Sequence, residues 1–399
     1  MNTATTTPRQ SLPLAARAVL TPLGRLGYGR LRVLLPDGAR LDFGPGGHEA
    51  DLELRDWRAF SRIVRSGDIG FAEGYIAQEW TTSDLSRLLT LLAANRSALE
   101  GPMTGGSLGR LLYRALHALR ANTRRGSRRN IAAHYDLGNE FYALWLDPGM
   151  TYSAGLYHGD PERSLEDAQR AKYERILSRL APPGGAHLLE IGCGWGGFAE
   201  LAASRGLRVS GITLSRAQLA WASERLERAG LARNARLELR DYRDLRARYD
   251  AVASIEMFEA VGERWWPAYF ERVAACLPRG GRAMVQTIVI DDSLFEQYRG
   301  GSDFIRQFIF PGGMLASNER FQALARRAGL QVAESFRFGR DYALTLAAWR
   351  RRFRAQWPRA RALGFDERFA RIWEFYLAYC EAGFVSGSTD VRQYLLVRQ

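Results

Sequence analysis

From residue 187 onward the apolar positions follow two alternating rhythms. "HLLEI" (187–191), "LRVSGI" (207–212), "ARLEL" (235–239), "YDAVASI" (249–255) and "RAMVQTI" (282–288) are short apolar runs that suit buried strands. Between them, "GGFAELAASRG" (196–206) and "LSRAQLAWASERLERAG" (214–230) repeat at helical spacing. Gly206 closes the first of these. Ser215 with Gln218 three residues on opens the second as a capping box. A further helix is expected around 266–277. Strands alternating with helices predict a doubly wound α/β domain whose ligands sit at the carboxyl ends of its strands. The first hundred residues differ. They mix β-like runs, "LRVLLPDGARLDFG" (31–44), with the amphipathic "LSRLLTLLAANR" (85–96), which predicts a smaller α+β domain. The expected boundary puts an accessory domain with a basic linker at 1–120 and a catalytic domain at 121–399.

The linker has its own pattern. Leu111, Leu112, Ala115, Leu116 and Leu119 fall at helical spacing, with Arg110, Arg114, Arg120, Arg124 and Arg125 among and after them. That suits a basic amphipathic helix on a membrane surface, or an ordinary surface helix at a domain junction. Composition extends the first reading. The net charge is +13 over 399 residues, and Lys172 is the only lysine. A basic surface attracts polyanions, either an anionic bilayer or nucleic acid. No nucleic-acid motif accompanies the charge, so no nucleic-acid partner is expected. Three cysteines without a CxxC, and five histidines without paired spacing, suggest neither a disulfide framework nor a metal site. With no signal-like start and no long apolar run, the expected place is the cytoplasm, peripheral at the inner face of the membrane.

Candidate chemistry centres on "LLEIGCGWGGF" (188–198). Gly192, Gly194 and Gly197 spell the dinucleotide fingerprint, while Gly192, Gly194 and Gly196 spell the turn of S-adenosylmethionine (SAM) methyltransferases. A dinucleotide domain wants an acid ending the second strand, but that strand ends at Thr213 and Ser215. Glu190 instead precedes the glycines, where it can meet an amino group or bound water. With "LRDYRDL" and "LPRGGRAMVQTI" downstream, the order predicts a class I SAM methyltransferase, Rossmann-like with a doubly wound sheet.

The chain from about residue 67 also resembles the cyclopropane-fatty-acyl-phospholipid and mycolic acid cyclopropane synthases. The resemblance rests on "GDIGFAEGYIAQEW" (67–80), "HYDLGNEFYALWLDPGMTYS" (134–153), "EIGCGWGG" (190–197), "GITLSRAQ" (211–218), "DYRDL" (241–245), "MFEAVG" (257–262), "FIFPGGMLAS" (308–317) and "DYALTLAAW" (341–349). It implies a SAM pocket with Tyr152 and Ser153 at the methionine end. Gly192, Gly194 and Gly196 would form the turn, Thr213 and Gln218 run along ribose and methionine, and Asp241 and Tyr242 lie near adenine. Gln218 could equally be spent on its capping box, and Tyr152 on the core.

The resemblance further implies methylation of the double bond in unsaturated acyl chains of membrane phospholipids, with an anionic membrane surface as partner. A homodimer is left open. In the family a bicarbonate ion, the implied base, is held by a cysteine, a glutamate, a histidine, a tyrosine and an isoleucine amide. Matched residue by residue, Glu259, Tyr342 and Ile255 are present. Ala154 replaces the cysteine and Gln286 the histidine, while Ala260 replaces a further histidine. Bicarbonate is therefore in doubt, and Glu259 itself is an alternative base. Phe304, Phe308, Ile309 and Phe310 are expected either to line a lipid channel or to be plain core. The remaining alternatives are a small-molecule amine N-methyltransferase and a catalytically silent membrane-binding homologue.

Overall fold

The computed structural model describes residues 12–99, 126 and 137–399. The basic segment expected as an amphipathic helix (101–130) lies outside the described residues except for Gly126. The chain divides into two compact units. The first takes residues 1–119, 300–309 and 364–386, and the second takes 120–299, 310–363 and 387–399. Two segments expected in the catalytic domain, 300–309 and 364–386, thus belong to the first unit.

The first unit has a four-stranded sheet in the order β2-β1-β3-β4, with β1 at Gly29–Leu34, β2 at Arg40–Gly46, β3 at Glu49–Leu54 and β4 at Trp80–Thr81. β1 and β2 form the hairpin that "LRVLLPDGARLDFG" announces, and β1 pairs in parallel with β3. Alternate residues of β1 are buried, as a sheet with one covered face requires. The amphipathic run becomes the helix Leu85–Ala94, capped by the Asp84 side chain on Arg87 N. The long helix Glu367–Ser386 packs against it. Phe304 is fully buried in this unit. It stacks on Phe308 at 5.1 Å between ring centroids and meets the Phe375 edge at 4.7 Å.

The second unit is built on one sheet in the order β11-β12-β9-β8-β5-β6-β7, with β10 (Ala316–Ser317) beside β9. β5 (His187–Ile191), β6 (Arg208–Thr213), β7 (Ala235–Leu239), β8 (Ala251–Ile255) and β9 (Arg282–Ile290) run parallel. β12 (Thr389–Arg398) is antiparallel to both β9 and β11 (Leu330–Arg337). Strand residues divide between two cores. Leu189 and Ile191 of β5 join one, and Leu188 joins the other. A strand buried on both faces explains why these runs read as continuously apolar.

The predicted helices are present at Gly197–Ser204, Arg216–Arg228 and Trp266–Ala275. The capping box is half formed. Ser215 Oγ accepts from Gln218 N at 3.2 Å, but the Gln218 side chain accepts from Thr213 Oγ1 at 3.0 Å. Strand order reverses between β6-β5 and β8-β9, so the carboxyl ends of β5 and β8 flank a crevice, the place where such sheets bind ligands.

Candidate active site

The glycine turn follows β5. Gly192 N and Cys193 N both donate to Ile212 O at 2.9 Å, which ties the turn to β6. Gly196 has φ +83°, and a Cβ there would come within 2.9 Å of Ala222 Cβ, so it serves the fold. Gly194 has φ +50°, and a Cβ there would meet nothing within 4 Å. Its backbone therefore faces open space at the mouth of the strand. Gly192 packs under the Met257 side chain.

Glu190 is 2% exposed, and its Oε2 has no hydrogen-bond partner among the described residues. Burial pushes its carboxyl up to about 8, against the pull of Lys172. An orphaned carboxylate oxygen beside an open glycine turn suits a cationic donor, such as the amino group of SAM. Thr213 and Gln218 stand together at the end of β6 through the hydrogen bond already given. Ser153 is buried, and its Oγ accepts from Lys172 Nζ at 2.6 Å. Tyr152 lies among Trp349 at 5.4 Å, Tyr142 and Trp145 at 5.5 Å and Phe310 at 6.4 Å. Asp241 is held by Arg243, whose Nε and Nη2 reach it at 2.8 and 2.6 Å. Tyr242 packs edge-on against Tyr269 at 5.7 Å.

The other half of the site turns on a residue that sequence reasoning passed over. Glu256 directly follows β8 with φ +48°, in the left-handed region that a non-glycine residue seldom adopts. Its Oε1 accepts from Ala154 N at 2.8 Å and from Gln286 Nε2 at 2.7 Å, and its Oε2 accepts from the Tyr342 hydroxyl at 2.6 Å. Ala154, Gln286 and Tyr342 are three of the positions that the resemblance assigns to bicarbonate. A carboxylate and bicarbonate share one charge and a planar O–C–O edge, so the chain supplies its own anion there. The donors present are spent on Glu256 and do not fit a separate bicarbonate.

Glu259 stands behind. Its Oε1 accepts from Ile288 N, its Oε2 has no hydrogen-bond partner among the described residues, and burial with the nearby Glu256 charge lifts it to about 8. Ile255 ends β8, in register with Gln286 on β9. The signal that could have found Glu256 was plain in "SIEMFE": an acid at the carboxyl end of a central strand. Among the described residues no group of three or more His, Cys, Asp or Glu side chains is placed to hold a metal ion.

Of the expected channel residues, Phe304, Phe308 and Ile309 belong to the first unit, and Phe310 lies beside Tyr152.

A mostly parallel sheet of this order, with an open glycine turn and an orphaned acid at its switch point, defines a class I SAM-dependent methyltransferase. Comparison with known proteins narrows the class. Residues 122–394 match the model of the mycolic acid cyclopropane synthetase family, and the chain belongs to that family. It is 40% identical over 356 residues to a tuberculostearic acid methyltransferase of Mycobacterium tuberculosis, covering 85% of this chain and 81% of that one. It is 32% identical to the cyclopropane-fatty-acyl-phospholipid synthase of Escherichia coli, over 88% of this chain and 89% of that one. The solved structure of the mycolic acid cyclopropane synthase CmaA1, complexed with SAH and CTAB, is similar with a TM-score of 0.64 and 31% identity. That match covers 68% of this chain and 98% of CmaA1. The protein is thus a lipid methyltransferase that uses SAM as methyl donor.

Proposed function

We propose that the enzyme methylates the double bond of an unsaturated fatty-acyl chain in a membrane phospholipid. Glu256 then acts as the base, and the product is a branched, olefinic acyl chain rather than a cyclopropane. The observation that carries this reading is the Glu256 carboxylate set among Ala154 N, Gln286 and Tyr342. The name of the 40% identical relative supports it, being that of a methyltransferase and not of a cyclopropane synthase.

SAM, when bound, supplies an electrophilic methyl carbon. Glu190 would hold its amino group, Tyr152 and Ser153 its methionine end, Gly194 its close approach to the backbone, and Thr213 with Gln218 its ribose. The alkene attacks with its π electrons. One C–C bond forms as the S–CH3 bond breaks, and the neighbouring carbon becomes a cation. The Tyr152 ring and the Glu256 carboxylate charge would stabilise that cation. Glu256 takes a proton from a carbon beside the cation, and the C–H electrons become the new π bond. Loss of a proton from the added methyl, with those electrons closing a C–C bond, would give the ring instead. Tyr342, Gln286 and Ala154 N hold the carboxylate in place for this single transfer.

Vesicles of mono-unsaturated phospholipid, incubated with the enzyme and SAM, test the reading. Released acyl chains should gain one CH2 by mass and keep olefinic proton signals. High-field ring protons would overturn the branched product. No gain on any unsaturated lipid would remove the lipid reading and direct attention to amine substrates.

A further inference from the structure

Gln286 stands in line with a second glutamine. Gln286 and Gln393 are directly opposite on β9 and β12, and both are fully buried. Gln393 Nε2 donates to Gln286 Oε1 at 2.9 Å, and Arg175 Nη1 donates to Gln393 Oε1 at 2.5 Å. Arg175, on the helix Leu165–Leu180, also reaches the half-buried Glu334 and lies 3.9 Å over the Phe336 ring. One chain of donors therefore runs from Arg175 through Gln393 and Gln286 to Glu256 Oε1.

The ends of this chain decide its direction. A guanidinium only donates, so Gln393 must turn its carbonyl oxygen towards Arg175. Its amide NH2 then faces Gln286, which must accept there and donate onward. The far end is satisfied by an acceptor, the ionised form of Glu256. Aligned amide dipoles in a buried row polarise one another in the same sense. Reversing Gln286 would aim a carbonyl oxygen at the carboxylate, and reversing Gln393 would set its carbonyl against that of Gln286 and its NH2 against the guanidinium.

We propose that Arg175 and Gln393 are positioning residues that act through Gln286 to keep Glu256 ionised and ready to accept a proton. This inference rests on the reading of Glu256 as the base. Other groups also face Glu256. Tyr342 comes from the helix Gly339–Ala355, Ala154 N from the preceding loop, Glu259 from the turn after β8, and Lys172 from the same helix as Arg175. Glu190 and Asp147 face Lys172 in turn. Burial is the largest influence and leaves Glu256 above the ordinary carboxylate value, while Tyr342, Ala154 N, Lys172 and Gln286 each lower it in part. Removing the relay subtracts from the lowering side alone.

The test is the pH profile of kcat on mono-unsaturated phospholipid vesicles. In Gln393→Leu and Arg175→Met the acidic limb should move up by about one pH unit, equivalent to about a tenfold rate loss on that limb. The alkaline plateau and KM for SAM should stay unchanged. Arg175→Lys, which keeps a cationic donor, should return the limb towards the wild type. Infrared difference spectra of the two relay variants, with the Glu256→Gln protein as the reference subtracted to assign the band, should show the Glu256 carboxyl protonated up to a higher pH than in the wild type. Arg175 reaches the surface, so its variants remain informative if the Gln393 change impairs folding. Unmoved limbs in the relay variants, with Glu256→Gln inactive, would overturn the relay and leave the base reading standing. An active Glu256→Gln enzyme would overturn the base reading itself.

Discussion

At the scale of single residues, the two acids that matter most have opposite surroundings. Glu256 is saturated with donors, whereas Glu190 Oε2 has none among the described residues. Loss of a general base costs about a hundredfold to ten-thousandfold in rate. Glu256→Gln should therefore lower kcat by that order and leave SAM binding intact, measured by isothermal titration beside turnover. Glu190 carries a different cost. Its folded carboxyl is raised from 4.5 to about 8, so the folded state binds its proton more tightly than the unfolded chain does. Stability from that group is fully present below about pH 4.5 and is lost as pH rises through about 8. Glu190→Gln should flatten the fall in apo-enzyme melting temperature across that window while raising KM for SAM, read by pH-dependent thermal melts and initial rates. Equal pH dependence in both proteins would refute the assignment. Glycines divide in the same way. Gly194→Ala should cost SAM affinity as well as the strain of its positive φ, while Gly196→Ala should cost stability through both its φ and its approach to Ala222 and leave SAM affinity less affected. Thermal melts and SAM titrations of the two variants separate these effects.

At the scale of elements, the five parallel strands β5 to β9 and the helices Gly197–Ser204, Arg216–Arg228 and Trp266–Ala275 were legible because each segment's apolar rhythm agrees with its place in the sheet, whereas the antiparallel β11 and β12 were not read from the sequence. The capping box was only half legible. A local pattern names Ser215 and Gln218, but the Thr213 hydroxyl that captures the Gln218 side chain lies at the end of the preceding strand. The surviving half can be tested. Ser215→Ala should destabilise the protein by about 1 kcal/mol in chemical denaturation, the usual cost of a lost N-cap. The site was legible where it rests on one contiguous motif, as at the glycine turn. It was illegible where four separate segments meet. Ala154, Glu256, Gln286 and Tyr342 come from two loops, a strand and a helix, and only folding shows that Glu256 takes the donors assigned to another anion. Segments 300–309 and 364–386 illustrate the same limit, since chain order cannot show that they return to the first unit.

At the scale of the whole molecule, 56 basic against 43 acidic side chains leave a net charge of +13. Many described arginines are already paired with carboxylates, as Arg299 is with Glu263 and Arg352 with Glu166. Among the described residues no helix is long and apolar enough to cross a membrane, and the proposed phospholipid substrate would be reached from the bilayer surface. Basic side chains near an anionic leaflet contribute about 1 kcal/mol each, and salt screens that attraction over a length of about 10 Å at 0.1 M and about 3 Å at 1 M. The enzyme should therefore sediment with anionic vesicles at low salt, stay in the supernatant with neutral ones, and be released as salt rises. Arg120, Arg124 and Arg125 lie in the basic segment expected to meet a membrane surface. Changing all three to glutamate should weaken vesicle binding and raise the apparent KM for vesicle lipid, while turnover on detergent-dispersed lipid stays near wild type. Equal binding to neutral and anionic vesicles would mean that apolar surface, and not charge, brings the enzyme to its substrate.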